Sequence, residues 1–83
     1  MTTYNIILSK DANKFIRKQN FSLQKRLLDA IYQLPFSGNI KKLIGYDNLF
    51  RLRVGDFRVI YSVHHNIITV EVMDIGNRGD IYK

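Results

Sequence analysis

Arg51, Arg53 and Arg58 fall within one short run, Phe50-Arg51-Leu52-Arg53-Val54-Gly55-Asp56-Phe57-Arg58-Val59-Ile60-Tyr61. A guanidinium stays protonated in proteins and offers a planar fork of N–H donors that fits two oxygens of a phosphate. Three of them on one surface would hold a phosphodiester and stabilise the negative charge that builds up when its phosphorus is attacked. They would not accept a proton. The chemistry within their reach is therefore binding, positioning and charge stabilisation at a phosphate.

Whether they share a surface depends on the backbone. Gly55-Asp56 fits a two-residue hairpin loop, and glycine at its first central position suits a type II′ turn, which needs positive φ there. That loop places Val54 opposite Phe57, Arg53 opposite Arg58 and Leu52 opposite Val59. Side chains alternate across a strand, so Phe50, Leu52, Val54, Phe57, Val59 and Tyr61 share one face, the expected core. Arg51, Arg53 and Arg58 share the other. Like charges directly opposite destabilise a strand pair, a cost that a bound anion would offset. The plainer alternative is an outer face with its charges spread into water. A longer loop would shift the register and break the cluster.

A second turn near His65-Asn66 would bring Ser62, Thr69, Glu71 and Met73 onto the arginine face, with Glu71 neutralising part of the cluster. His64 and His65 read as exposed turn histidines. Two adjacent imidazoles pointing apart, in a chain without cysteine, do not make a metal site. Arg78 and Tyr82 follow the last strand. A tail folded back across the sheet would add a guanidinium and a phenol to the cluster, whereas an extended tail would leave both idle.

The elements that must carry these residues can be read along the chain. Residues 4–8 form an Ile-rich strand ended by Ser9, which can cap a helix with Asp11 in its first turn. Ala12, Phe15 and Ile16 lie at helical spacing, and this helix fades near Asn20. Ser22 is the expected cap of a second helix, whose stripe is Leu23, Leu27, Ile31 and Leu34. Lys25, Arg26 and Asp29 face outward, and Pro35 ends the helix. Residues 36–48 read as a loop pinned by Phe36, Ile40, Leu43 and Ile44. Strands follow over 49–54, 57–63 and 67–75. The order β-α-α-β-β-β predicts an α+β fold, with two N-terminal helices packed on a small, twisted, mainly antiparallel sheet in one domain over 1–83.

Composition agrees. The chain has 83 residues, 46% of them hydrophobic, which is enough for the core of one small domain. Thirteen Lys and Arg against seven Asp and Glu give a net charge of +6, the electrostatic footprint of a nucleic-acid binder. The absence of cysteine excludes disulfides and thiolate metal sites. The sequence shows no secretory pattern and no apolar run near the ~18 residues of a membrane helix, so a soluble, cytoplasmic protein is expected.

The run 49–61, followed by Ile75-Gly76-Asn77-Arg78-Gly79-Asp80-Ile81-Tyr82, resembles the RelE branch of the RelE/ParE toxin superfamily. Lys42-Leu43-Ile44-Gly45 is similar to the family's K-L-x-G step before the hairpin. The resemblance covers essentially the whole chain. It implies a microbial-ribonuclease-like fold and a toxin of a type II toxin–antitoxin system that enters the ribosomal A site and cuts mRNA there. It also implies a cognate antitoxin whose helical segments wrap the toxin. By this resemblance Arg51, Arg53, Arg58, Arg78 and Tyr82 form the catalytic set, with Tyr82 stacking on or hydrogen-bonding the substrate. Lys41 and Lys42 join Arg51 and Arg53 in contacting RNA or the ribosome. Some members carry lysines where Arg51 and Arg53 stand, one of them thought to be the general base. The base is therefore not identified in this chain.

The reaction implied is attack of an RNA 2′-OH on the adjacent phosphate, leaving a 2′,3′-cyclic phosphate without metal or other cofactor. Two alternatives stand beside it. One is a ParE-like inhibitor of DNA gyrase with the same fold. Against it, that branch tends to lose the nuclease residues that are retained here. The other is a non-catalytic module that binds nucleic acid or protein.

Overall fold

In the computed structural model, residues 3–77 are described. Arg78 and Tyr82 fall outside them. The elements are β1 (Asn5–Leu8), α1 (Lys10–Arg17), α2 (Phe21–Ile31), β2 (Asn39–Lys42), β3 (Leu49–Val54), β4 (Phe57–His64) and β5 (Thr69–Asn77). A 3₁₀ turn, His65–Ile67, links β4 to β5. The strands form one sheet in the order β1-β5-β4-β3-β2. β1 runs parallel to β5 and the other neighbours are antiparallel.

Each helix starts where a side chain satisfies an otherwise orphaned backbone N–H. Ser9 Oγ accepts from the Ala12 N–H at 3.0 Å and also donates to the Met73 carbonyl at 2.8 Å, tying the head of α1 to β5. The second helix is capped by Asn20, whose Oδ1 accepts from the Leu23 N–H at 2.9 Å, and not by Ser22. Asparagine caps as well as serine does. Starting at Phe21 adds a turn's edge that the apolar stripe does not reveal. The helix ends at Ile31, and Leu34 is buried in the turn that follows.

Ala12, Ile16, Leu27 and Ile31 meet Leu52, Val54, Val59, Tyr61, Val63, Val70, Val72 and Ile75 in one core. Both helices therefore cover the same sheet face. Phe50 and Phe57 pack at its margin. Each fully buried aliphatic side chain contributes about 1.5–3 kcal/mol.

The sheet has five strands where four were expected. β2 lies within the segment read as a loop, pairing Ile40 with Leu52 and Lys41 with Arg51. Only Ile40 of this strand packs toward the core. Two lysines on a short outer strand hide its pattern and also guard the free edge against further pairing. Phe36 and Ile44, expected to pin the loop, are exposed, Ile44 at 92%.

A bulge breaks the β4–β5 register. Ile60 pairs with Asp74 but Tyr61 pairs with Val72, leaving Met73 as the extra residue. Val72 and Ile75 consequently both reach the core, while Met73 and Asp74 are both exposed. At the other end of β5, Ile68 closes the turn at φ 50, ψ 54, a left-handed conformation costly for a β-branched residue. Its carbonyl accepts from the Asn5 N–H at 2.9 Å, where the parallel pairing begins.

Candidate nucleic-acid interface

The face of the sheet away from the helices carries the arginines. In the β3–β4 hairpin Val54 pairs with Phe57, Arg53 with Arg58 and Leu52 with Val59, as the two-residue loop requires. Gly55 has φ 59, while Asp56 is not among the positive-φ residues, the pattern of a type II′ turn. Two rows of side chains cross this open face. One runs Asn39, Arg53, Arg58, Gly76, and the other Lys41, Arg51, Ile60, Asp74. Three guanidiniums and one ammonium thus lie on three adjacent strands, roughly 5 Å apart in the pairing direction.

Arg51 donates to Asn39 Oδ1 at 3.4 Å. Its Nε is buried and has no hydrogen-bond partner among the described residues. Lys41, Lys42, Leu43, Ile44, Arg51 and Arg58 line a groove of about 340 Å³. Lys42 is in register with Phe50 and borders this groove at the strand end. A phosphate in the groove would meet guanidinium forks from two strands and ammonium groups from a third.

A second groove of about 410 Å³ adjoins the first through Leu43. Tyr46, Leu49, Ile60 and Met73 give it an apolar floor and wall, and Asp11 and Asp74 lie at its acidic side. Sequence reasoning left Tyr46 in a loop and assigned nothing to Asp74. The bulge at Met73 brings Asp74 onto this face, and strand alternation alone does not reveal the bulge. Arg26 is exposed, as expected, and its guanidinium lies beside the hairpin turn. A Cβ on Gly55 would come within 3.0 Å of its Nη2. Arg26 and Arg53 both line a third cavity beside that turn.

Glu71 does not neutralise the arginines. It pairs with Ser62, four positions along β4 from Arg58, and lies 3.9 Å from His64 Nε2. His65 is an exposed turn residue, as expected, whereas His64 ends β4 and is half-buried. Ser62 Oγ meets His64 Nε2 at 3.0 Å, and the Tyr4 hydroxyl meets His65 Nδ1 at 2.7 Å. Ser62, His64 and Glu71 are not a nucleophilic triad. Both contacts fall on the same ring nitrogen, whereas a relay uses opposite ones. Ser62 is also only 6% exposed.

Beneath the cluster, Tyr61 is fully buried and stacked on Phe50 with ring centroids 5.5 Å apart. Its hydroxyl has no partner among the described residues, and burial pushes the phenol up to about 12. Among the described residues no helix is long and apolar enough to cross a membrane, and no cluster of three His, Cys, Asp or Glu is placed to hold a metal.

Comparison with known proteins follows the same lines. No curated protein matches the chain. Solved toxin–antitoxin complexes match it closely in fold. The archaeal RelE–RelB complex from Pyrococcus horikoshii OT3 superposes with TM-score 0.76 at 26% identity, over 95% of this chain and 99% of that one. The RelB–RelE antitoxin–toxin complex from Methanococcus jannaschii gives TM-score 0.74 at 26% identity, over 92% and 94%. The RelBE2 complex from Mycobacterium tuberculosis shares the fold, with TM-score 0.78 at 17% identity over 93% and 100%. The profile of the family described as "ParE toxin of type II toxin-antitoxin system, parDE" matches residues 6–82, which takes in the whole arginine face together with Arg78 and Tyr82. By that match and by its fold, the chain belongs to the ParE toxin family of type II toxin–antitoxin systems, within the RelE/ParE superfamily.

Proposed function

We propose that this toxin is a ribosome-dependent endoribonuclease that cuts mRNA in the A site by metal-independent attack of a 2′-OH on the adjacent phosphate. The observation that carries this reading is the direct pairing of Arg53 with Arg58, next to Arg51 and Lys41, on a sheet face with no helix over it among the described residues. Guanidiniums set directly opposite repel each other, and a phosphate between them would gain two charge-assisted contacts. Arg58 and Arg78 bind the scissile phosphate, Arg51 and Arg53 contact substrate and stabilise developing charge, and Tyr82 stacks or shares a proton. Lys41 and Lys42 extend the contact to RNA or the ribosome. The cognate antitoxin covers this surface with a helical segment, and the whole works in the cytoplasm as one domain. Similarity to RelE structures solved with RelB supports the antitoxin partner.

A second reading has its own support. The matching family profile is that of ParE toxins, and the resemblance drawn from the sequence includes ParE-like gyrase inhibitors. Translation in a purified bacterial system, with mRNA ends mapped by primer extension, separates the two. Cuts within A-site codons that disappear without ribosomes are expected. Intact mRNA together with inhibited DNA supercoiling would transfer the assignment to gyrase.

A further inference from the structure

Resting on the nuclease reading, we infer that Asp74 is the proton acceptor of the reaction. The guanidiniums at 51, 53 and 58 cannot accept the 2′-OH proton. The β-bulge supplies a carboxylate beside them. Arg58 pairs with Gly76 and Ile60 with Asp74, so Arg58 and Asp74 are diagonal neighbours on the same open face. Such neighbours stand about 7–8 Å apart, a gap that long side chains span. A 2′-oxygen and its phosphorus fit between a short carboxylate arm on β5 and a long guanidinium arm on β4. Without the extra residue Met73, position 74 would face the core instead.

Two further features fit this role. Asp74 Oδ1 accepts the Ile75 N–H at 3.0 Å, a bond that restrains the carboxylate and does not engage Oδ2. Asp74 also borders the groove floored by Tyr46, Leu49, Ile60 and Met73, which shares Leu43 with the lining of the cationic groove. That apolar, aromatic surface takes the nucleoside on the 5′ side of the cut. The ribose then lies at the junction of the two grooves, with its 3′-phosphate on the guanidiniums and its 2′-OH toward Asp74. In the step, the proton of the 2′-OH passes to Oδ2 as O2′ bonds to phosphorus. The bond from phosphorus to the 5′-oxygen breaks, that oxygen takes a proton from water, and the hydroxide so formed takes the proton held on Asp74, which restores the carboxylate. The products are a 2′,3′-cyclic phosphate and a 5′-hydroxyl.

The test is the single-turnover rate of mRNA cleavage on programmed ribosomes across a pH series. It compares the parent with Asp74→Asn and Asp74→Glu, and uses Glu71→Gln, on β5 opposite Ser62 and beyond the bulge, as a carboxylate control. Asp74→Asn is expected to lose about 10²–10⁴-fold in rate while keeping parental ribosome affinity and circular dichroism. Its residual rate should no longer fall on acidification. Asp74→Glu should recover part of the loss, and Glu71→Gln should cleave like the parent. If Asp74→Asn cleaves within a few-fold of the parent and keeps the parental pH dependence, Asp74 is not the base. A parent that leaves mRNA intact on ribosomes overturns the nuclease reading and the role of Asp74 with it.

Discussion

Two residues show how burial and charge divide the work of one hairpin. Arg58 keeps its guanidinium on the open face, while Tyr61, three positions on, sends its phenol into the core. Desolvation raises the Tyr61 phenol from near 10 to about 12. Between those values the unfolded chain releases a proton that the folded chain keeps, so unfolding is favoured as pH rises. Stability from this group is complete below pH 10 and declines as pH climbs toward 12. Denaturant melts should show that decline in the parent and a weaker one in Tyr61→Phe. At neutral pH the variant should be at least as stable, because the lost hydroxyl has no partner among the described residues. Identical alkaline profiles for the two chains would contradict this account of Tyr61. The arginine positions were legible from sequence because one glycine fixes one turn and the turn fixes the register. Asp74 was not legible, because a bulge leaves no mark in the alternation of apolar and polar residues.

At the scale of elements, the open face is positioned by caps and by an edge strand as much as by the hairpin. Ser9 holds α1 to β5 beside the bulge through two hydrogen bonds. Ser9→Ala should cost about 1–2 kcal/mol, read as a lower midpoint in thermal or denaturant melts. A Ser9→Gly variant should lose less of the cap while still losing the tie to Met73. Equal stability of parent and Ser9→Ala would show that neither bond matters. The strand–helix–helix order and the three later strands follow from apolar spacing, and the structure agrees with them to within a few residues. β2 escaped detection because Asn39-Ile40-Lys41-Lys42 holds a single apolar residue, and its partner on β3 decides its conformation more than its own propensity does. The start of α2 was misplaced for a similar reason, since Asn20 and Ser22 cap equally well in principle.

Across the whole molecule the charge is sorted by face. The helices seal one side of the sheet, and the other side passes from Lys41 and the arginines through Ile60 to Asp74 within four strands. That gradient suits a polyanion whose phosphate lies at one end and whose sugar and base lie at the other. The excess of six positive charges would draw such a ligand from a distance, and salt should weaken the attraction. The central claim is that the guanidinium face performs cleavage, and the most direct test is Arg58→Ala on programmed ribosomes. Loss of cleavage by orders of magnitude, with circular dichroism and melting midpoint unchanged, is the predicted result. Cleavage by Arg58→Ala at the parental rate would contradict it and remove the arginine face from the chemistry.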